Sequence, residues 1–176
     1  GALITPSTIP YADITPKDVL LLDLDGTVLE GERAPSVERQ VHLEIYKRRP
    51  NVGAVIHSHP IVSAAFAAAR RPLPAFLEEF GVFVGDEIRC AEWGISGTPD
   101  VANAVAGALG ENNAAFMASH GLVTAGRDLD HALLLISRVE RAGMTFILTQ
   151  ALGGAAPIPD DAAALYRQVF QYLQSQ

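Results

Sequence analysis

Apolar runs and turn signals in the first third of the chain predict strands and a hairpin. Residues 19–24 and 52–59 are rich in leucine, valine and isoleucine, which is typical of buried strands. Asp25-Gly26 is a strong hairpin signal, so residues 27–30 are expected to return antiparallel to the first run. The pattern therefore predicts at least one antiparallel strand pair near the start of the chain.

Helical periodicity follows this hairpin and dominates the second half of the chain. Ser36 is a favourable N-cap, and the residues after it predict a helix to about Arg48 with Val37, Val41 and Ile45 on one face. Further helices are predicted over residues 61–70, 98–109 and 128–152 and after Asp160, and further strands over residues 87–93, 114–119 and 122–125.

This mixture of elements predicts an α/β fold whose sheet is at least partly antiparallel, because hairpins join some of its strands. A length of 176 residues suits a single domain over residues 1–176. The first four residues are typical of the middle of a strand, so a segment is expected to precede them. The helix over residues 128–152 is apolar nearly all round, which predicts burial in the centre of the fold or between subunits.

Composition excludes several classes of protein. The net charge is -7 and the pI about 5.1, so the chain lacks the basic surface that nucleic-acid binding needs. Its single cysteine, Cys90, excludes an internal disulfide and a cysteine zinc site. No apolar run is long enough to predict a membrane span. We therefore expect a cytoplasmic protein that acts on a small molecule and binds neither nucleic acid nor membrane.

The strongest candidate for a functional site is the segment Val55-Ile56-His57-Ser58-His59-Pro60. In a strand, residues i and i+2 point to the same face, roughly 6–7 Å apart along the chain. Two imidazoles placed in this way can chelate one ion, and they stand where an apolar strand ends and a loop begins. The spacing of His57 and His59 therefore predicts a metal site.

A third histidine strengthens this prediction. His120 follows another apolar strand and precedes Gly121, which allows close approach of backbone or ligand. Three histidines with one open position are a usual ligand set of catalytic zinc. Glu38 lies in the first turn of a predicted helix, a position that favours a carboxylate even without a function. We interpret His42 and His131, which lie within predicted helices, as packing or surface residues.

Several segments together resemble the class II aldolase/adducin family, which includes sugar-phosphate aldolases and 4-epimerases. The resemblance is in order and spacing as well as residue type, from Leu3 to about Leu152. The matching segments are Leu3-Ile4-Thr5-Pro6-Ser7-Thr8-Ile9-Pro10-Tyr11, Pro35-Ser36-Val37-Glu38, Arg49-Pro50, Ala54-Val55-Ile56-His57-Ser58-His59, His120-Gly121-Leu122 and Val139-Glu140.

The resemblance implies a three-layer α/β/α fold with a mainly antiparallel central sheet. It also implies a homotetramer with sites near subunit interfaces and one divalent ion per subunit, Zn²⁺ first, with Mn²⁺, Co²⁺ or Fe²⁺ as other candidates. His57, His59 and His120 match the family's metal histidines. Glu38 matches the carboxylate that ligates the metal and shuttles protons in the aldolases, whereas epimerases tend to have aspartate at this position.

Two departures from the family pattern concern substrate binding and the catalytic acid. The family's Thr-Gly and Ser-Ser phosphate contacts correspond to Ser7-Thr8 and Ser36-Val37, which we take as candidate substrate-binding residues. Val37 lacks the hydroxyl of the family's phosphate contact but keeps a backbone N–H. The residues therefore leave open both a phosphorylated and an unphosphorylated substrate. A tyrosine that the aldolases contribute from a neighbouring subunit falls at Glu78, and we expect Glu78, or failing that Glu79, to act as an acid in its place.

Together these residues predict a metal-dependent lyase of carbohydrate metabolism. It would cleave a C–C bond of a small, oxygenated, sugar-phosphate-like substrate by retro-aldol chemistry through a metal-stabilised enediolate, with Glu38 moving the proton. The alternative is decarboxylation of a hydroxy, keto or aromatic acid on the same site. A 4-epimerase is a weaker alternative, because Glu38 matches the aldolases.

Two further interpretations compete. Leu22-Asp23-Leu24-Asp25-Gly26-Thr27 imitates the first motif of haloacid-dehalogenase phosphatases, but Lys17 and Lys47 are the only lysines and neither suits that mechanism. The same scarcity argues against a Schiff-base aldolase. A non-catalytic, adducin-like module is the other interpretation, but it would not need three histidines and Glu38.

Overall fold

The computed structural model describes all 176 residues and shows an α/β fold. Its strands are β1 (Ala2–Ile4), β2 (Leu20–Leu22), β3 (Val28–Glu30), β4 (Ala54–Ser58), β5 (Leu73–Pro74), β6 (Glu87–Ile88), β7 (Cys90–Ala91), β8 (Ala114–Met117) and β9 (Gly121–Gly126). Its helices are α1 (Arg39–Arg48), α2 (Ile61–Ala69), α3 (Glu78–Phe83), α4 (Pro99–Leu109), α5 (Leu129–Thr149) and α6 (Asp160–Gln174).

The central sheet has four strands in the order β4-β9-β8-β7. The pairs β4–β9 and β8–β9 are antiparallel, and only β7–β8 is parallel. A separate antiparallel sheet contains β1, β2 and β3, and β5 pairs with β6. The β4–β9 register places His57 opposite Val123, so the histidine strand is tied along its length to the strand that follows His120.

Helices cover both faces of the central sheet, and each face has its own apolar core. On one face, α1 and α4 bury residues such as Ile45, Val105 and Leu109 against Val123 of β9. On the other face, α2, α3 and α5 pack a second apolar cluster. Removal of this apolar surface from water is the main force that holds the layers together. The predicted three-layer architecture with a mainly antiparallel sheet is therefore confirmed.

The β2–β3 hairpin forms where Asp25-Gly26 predicts it. Oδ1 of Asp23 accepts the backbone N–H groups of Asp25 at 3.0 Å and Thr27 at 2.8 Å. Gly26 has a φ of 91°, a left-handed conformation that glycine adopts without steric cost. The segment that imitates a phosphatase motif is thus a capped turn, and the Asp23 carboxylate is engaged within it.

Two predicted element boundaries near the site are wrong. Helix α1 begins at Arg39, because Ser36 and the two residues after it form a turn instead: Ser36 Oγ accepts the N–H of Glu38 at 3.2 Å. Val37 therefore lies outside the apolar face assigned to it, with 52% of its surface exposed. The predicted strand over residues 87–93 is interrupted, and its halves β6 and β7 pair in different sheets.

Helix α5 begins as predicted, since the Asp128 side chain accepts the N–H of His131 at 2.7 Å. Its burial is one-sided rather than complete. Ala132, Leu135 and Val139 pack into the core, while the opposite face leaves large apolar side chains exposed, namely Leu129, Leu133, Leu134, Met144, Ile147 and Leu148. No helix in the structure combines the length and the apolar character that crossing a bilayer requires.

Candidate active site

His57 and His59 are presented by the end of β4. His57 lies within the strand, and its Nδ1–H donates to the carbonyl oxygen of Leu122 on the neighbouring strand at 3.0 Å. This bond fixes the ring orientation and leaves Nε2 as the free lone pair. His59 follows the last residue of the strand and is exposed to solvent. The strand therefore delivers one oriented imidazole and one accessible imidazole.

His120 comes from the tight turn between β8 and β9. The N–H of His120 donates to the Met117 carbonyl at 3.0 Å, and Ser119 adopts a left-handed φ of 56° within the turn. A non-glycine residue in this region costs free energy, and such residues concentrate at functional sites. The turn brings the ring of His120 over the end of β4.

The three imidazoles converge on one point. His57 Nε2 lies 3.0 Å from His59 Nε2 and 3.3 Å from His120 Nε2. The three candidate ligand atoms all lie within 4.8 Å of one another. Two nitrogens that ligate one tetrahedral zinc ion at about 2.0–2.1 Å are about 3.3–3.4 Å apart. The nitrogen separations thus fit three ligands of one metal ion.

Burial keeps His57 and His120 in the form that binds metals. Burial is the main cause that lowers the pKa of His57 to about 4, and the neighbouring His120 and His59 lower it further. Burial also lowers the pKa of His120, while the nearby Glu38 carboxylate acts in the opposite direction. These two imidazoles are therefore neutral at pH 7, as metal ligands must be.

Glu38 faces the same point from the start of α1. Its Oε2 is buried and has no hydrogen-bond partner within the chain. An unpartnered buried carboxylate oxygen is costly unless a cation or a proton donor meets it. Its charge acts on His120, as the pKa of that histidine shows. The residues present thus fit a divalent cation, with three nitrogens and one unsatisfied carboxylate oxygen.

A cleft of about 1160 Å³ runs beside these groups and is lined by Ser36, Glu38, His57 and His59, among others. His42 also lines it, which corrects its interpretation as a mere packing or surface residue. Burial lowers the pKa of His42 to about 4, so its ring is neutral. Its position one helical turn after Glu38 was the sequence signal that could have placed it there.

The predicted substrate-binding segments lie next to each other. Ser7 N–H donates to Ala34 O at 2.8 Å, Ser36 N–H donates to Thr5 O at 3.1 Å, and an antiparallel bridge joins Pro6 to Pro35. These bonds place the 7–8 loop beside the turn at the start of α1. Of the four predicted substrate-binding residues, Ser36 lines the cleft, whereas Ser7, Thr8 and Val37 do not.

The Ser7-Thr8 loop carries backbone strain at its second residue. Thr8 adopts a left-handed φ of 64°, and its hydroxyl donates to its own neighbour, Ser7 O, at 2.7 Å. The neighbouring candidate Val37 is exposed and lies against Gly97. The structure therefore gathers the two segments, while substrate binding by Ser7, Thr8, Ser36 and Val37 stays a prediction.

Glu78 and Glu79 lie in the first turn of α3, away from the histidines of their own chain. Glu79 forms ion pairs with Arg138, at 3.2 Å, and with Arg141. Glu78 is exposed and lines a shallow groove between α3 and α6, and it does not line the histidine cleft. Only a neighbouring subunit could therefore bring Glu78 to a metal site, and its role stays a prediction.

Comparison with known proteins defines the family of this fold and site. Residues 1–147 match the family described as the class II aldolase and adducin N-terminal domain. The chain therefore belongs to the class II aldolase/adducin family, and it is an enzyme of the class II aldolase type. The resemblance noted in the sequence is thereby confirmed.

Individual relatives agree with this assignment. The chain is 32% identical to a 5-deoxy-D-ribulose 1-phosphate aldolase of Bacillus thuringiensis serovar kurstaki, over 90% of this chain and 74% of the relative. It superposes on a solved L-fuculose 1-phosphate aldolase with a TM-score of 0.91 and 32% identity, covering 96% of this chain and 79% of that one.

A relative with a different printed activity also matches. It is a 4-hydroxy-3-prenylphenylpyruvate oxygenase/4-hydroxy-3-prenylbenzoate synthase of Streptomyces roseochromogenus subsp. oscitans. It is 34% identical over 93% of this chain and 60% of its own length. Membership of the family thus accompanies more than one kind of chemistry.

Proposed function

We propose that the protein is a metal-dependent carbon–carbon lyase that cleaves a small, oxygenated, sugar-phosphate-like substrate by retro-aldol chemistry. The observation that carries this proposal is the convergence of His57, His59 and His120 beside the unsatisfied Oε2 of Glu38. The aldolases among its relatives support the reaction class.

His57, His59, His120 and Glu38 would hold the ion, one per subunit. A divalent ion bound there would act as a Lewis acid that polarises the substrate carbonyl and stabilises the negative charge of the transition state. Zn²⁺ is the first candidate, because three imidazoles and an open position suit it, and Mn²⁺, Co²⁺ and Fe²⁺ are the others.

Glu38 is proposed as the acid/base. Glu38 is the one carboxylate that lines the cleft, and it would take the proton from the substrate hydroxyl on the carbon β to the carbonyl. Loss of that proton turns the hydroxyl into an aldehyde as the C–C bond breaks, and the electron pair stays with the carbonyl fragment. Return of a proton to that fragment completes the reaction and restores the carboxylate.

Ser7, Thr8, Ser36 and Val37 are proposed to bind the anionic end of the substrate. Two observations support this. The two segments lie side by side, and the N–H of Val37, just before α1, donates to no acceptor within the chain. Backbone N–H groups at a helix start favour an anion such as phosphate.

The proposal includes a cytoplasmic homotetramer that functions in carbohydrate metabolism, with sites near subunit interfaces. The exposed apolar face of α5 supports an assembly, because Leu129 and Leu133 lie both on that face and along the histidine cleft. Glu78 of one subunit would then act as the acid in a neighbour's site, since no histidine cluster lies near it in its own chain.

Decarboxylation of a hydroxy, keto or aromatic acid is the second candidate function. Two observations favour it, namely the valine at position 37, where the family has a hydroxyl, and the similarity to a prenylbenzoate synthase. The same four metal-binding groups would serve, and CO₂ would leave in place of an aldehyde.

A substrate panel tests the proposed function. Metal-loaded protein is incubated with ketose 1-phosphates, the corresponding unphosphorylated ketoses, β-keto acids and hydroxylated aromatic acids, and both aldehyde and CO₂ are measured. The proposal expects aldehyde release from a ketose phosphate that is lost after chelation and in His57→Ala. CO₂ release alone would establish the second candidate, and neither product from metal-loaded protein would contradict both.

A further inference from the structure

The start of α2 lacks a capping side chain of its own. The helix begins at Ile61, two residues after His59, and its N-cap is Pro60, which has no side-chain acceptor. The first N–H groups of a helix have no carbonyl partner within the helix. The N–H groups of Val62 and Ser63 therefore need an acceptor from elsewhere in the fold.

Glu140 of α5 supplies that acceptor from 77–78 residues away in the chain. Its Oε2 accepts the N–H of Val62 at 3.0 Å, and its Oε1 accepts both the N–H and the hydroxyl of Ser63 at 2.7 Å each. A negative charge at the positive end of a helix adds to these bonds. One carboxylate thus makes three hydrogen bonds to the first turn of α2, where Ser63 is almost fully buried.

Helix α2 also holds the turn that carries His120. The N–H of Ser119, in its left-handed conformation, donates to the carbonyl of Ala67 in the last turn of α2 at 2.9 Å. The helix is therefore joined to His59 at one end, through Pro60, and to the residue before His120 at the other. A shift or fraying of α2 would move two of the three imidazoles relative to His57, which is fixed separately by Leu122.

We propose that Glu140 is a positioning residue of the metal centre, which acts through α2 to hold His59 and His120 in their ligating geometry. It touches neither the imidazoles nor the cleft. The inference rests on the proposed metal site, and it assigns to a side chain on α5 a function that the sequence pattern did not reveal. Groups that fix the ligands of a metal commonly change its affinity by about 10–100-fold.

The test compares metal binding by wild type and Glu140→Gln in the whole chain. The Zn²⁺ dissociation constant is measured by competition with a chromophoric chelator, and the visible absorption of the Co²⁺-loaded protein reports coordination geometry. Asp128→Asn is the matched control, because it also converts a helix-capping carboxylate to an amide but lies at the far end of β9 from His120. We expect Glu140→Gln to weaken Zn²⁺ binding about 10-fold and to alter the Co²⁺ spectrum, with neither change in Asp128→Asn.

Unchanged Zn²⁺ affinity and Co²⁺ spectrum in folded Glu140→Gln would overturn the inference and leave Glu140 as an ordinary helix cap. If that variant does not fold, Ser63→Ala, which removes one of the three bonds, replaces it, with the exposed Ser137→Ala as its control. Weaker Zn²⁺ binding in Ser63→Ala alone would support the inference, and equal binding in both would overturn it. Wild type that binds neither ion would instead overturn the proposed metal site, and the inference with it.

Discussion

Gly121 lies so close to His59 that no side chain fits between them: a Cβ on Gly121 would stand 2.6 Å from Cδ2 of His59 and 2.5 Å from the carbonyl oxygen of Ser58. Gly121 is the first residue of β9, and it follows His120 directly. The glycine therefore lets the turn with His120 close down on the strand end with His59, and the two histidines meet because of it.

Gly121→Ala should consequently weaken metal binding. The added methyl group must displace either the His59 ring or β4, and a displacement of several tenths of an ångström disturbs ligand geometry. We expect a Zn²⁺ affinity lower by about 10-fold or more, measured by chelator competition. Gly107→Ala in α4 is the control, since its nearest atom would be 3.9 Å away and alanine favours a helix by about 0.5–1 kcal/mol. Wild-type affinity in Gly121→Ala would refute this view of the site.

Glu38→Gln should separate proton transfer from metal binding. The amide keeps the size of the side chain and one potential ligand oxygen, but it cannot take up the proton. We expect most metal binding to persist and turnover to fall about 10²–10⁴-fold, the usual contribution of a positioned acid/base. Glu44→Gln, on the same helix and paired with the exposed Arg48, is the control and should retain activity. Near-normal turnover in Glu38→Gln would return Glu38 to the role of a helix-end carboxylate.

The sequence predicted the parts of this site that depend on strand periodicity. The alternation of side chains along a strand was enough to place His57 and His59 together, and the hairpin signal at Asp25-Gly26 was enough to predict the β2–β3 turn. These features depend on neighbours in sequence, so local physical rules describe them.

Contacts between distant segments could not be predicted in the same way. Glu140 caps a helix that begins 79 residues earlier in the chain at Ile61, and no local pattern marks an acceptor that is needed so far away. The spacing of four residues places His42 on the same face as Glu38, but only the packing of α1 beside β4 shows that this face lines the cleft. The local pattern predicts one strand over residues 87–93. Its break into β6 and β7 depends on pairing with two distant strands, β5 and β8, which the local pattern does not show.

Thr8→Gly should stabilise the protein if Thr8 is strained. A β-branched residue with a φ of 64° is strained, whereas glycine adopts this conformation without steric strain. After allowance for the greater freedom of glycine in the unfolded chain, we expect the free energy of unfolding to rise by about 1 kcal/mol. Urea denaturation of Thr8→Gly and of Thr8→Ala measures this, with alanine expected to fall below glycine. A Thr8→Ala protein that is more stable than Thr8→Gly would mean that the conformation at residue 8 carries no strain, because alanine restricts the unfolded chain more than glycine does.

A subunit-exchange experiment tests the role proposed for Glu78. Glu38→Gln and Glu78→Gln are each expected to be nearly inactive. Mixed tetramers should regain activity, because some sites then combine an intact Glu38 with an intact Glu78 from the neighbour. A mixture of Glu38→Gln and His57→Ala is the control and should stay inactive, since every site retains one defect of its own subunit.

Light scattering first establishes that the protein forms a tetramer, and native mass spectrometry of the mixture, with one variant isotope-labelled, establishes that subunits have exchanged. No recovery in the Glu78→Gln mixture, with exchange verified, would place Glu78 outside the neighbour's chemistry. A stable monomer at working concentration would remove every site shared between subunits.

The metal content of the purified protein tests the central claim most directly. Elemental analysis of wild type, after saturation with Zn²⁺ and removal of loosely bound ions, should give one ion per chain. His57→Ala and His120→Ala should each lose most of it, while His131→Ala, which changes a histidine on α5 that is not in the cluster, should retain it. Wild type that takes up no Zn²⁺, Mn²⁺, Co²⁺ or Fe²⁺, or the same content in all four proteins, would contradict the metal site on which the proposed lyase depends.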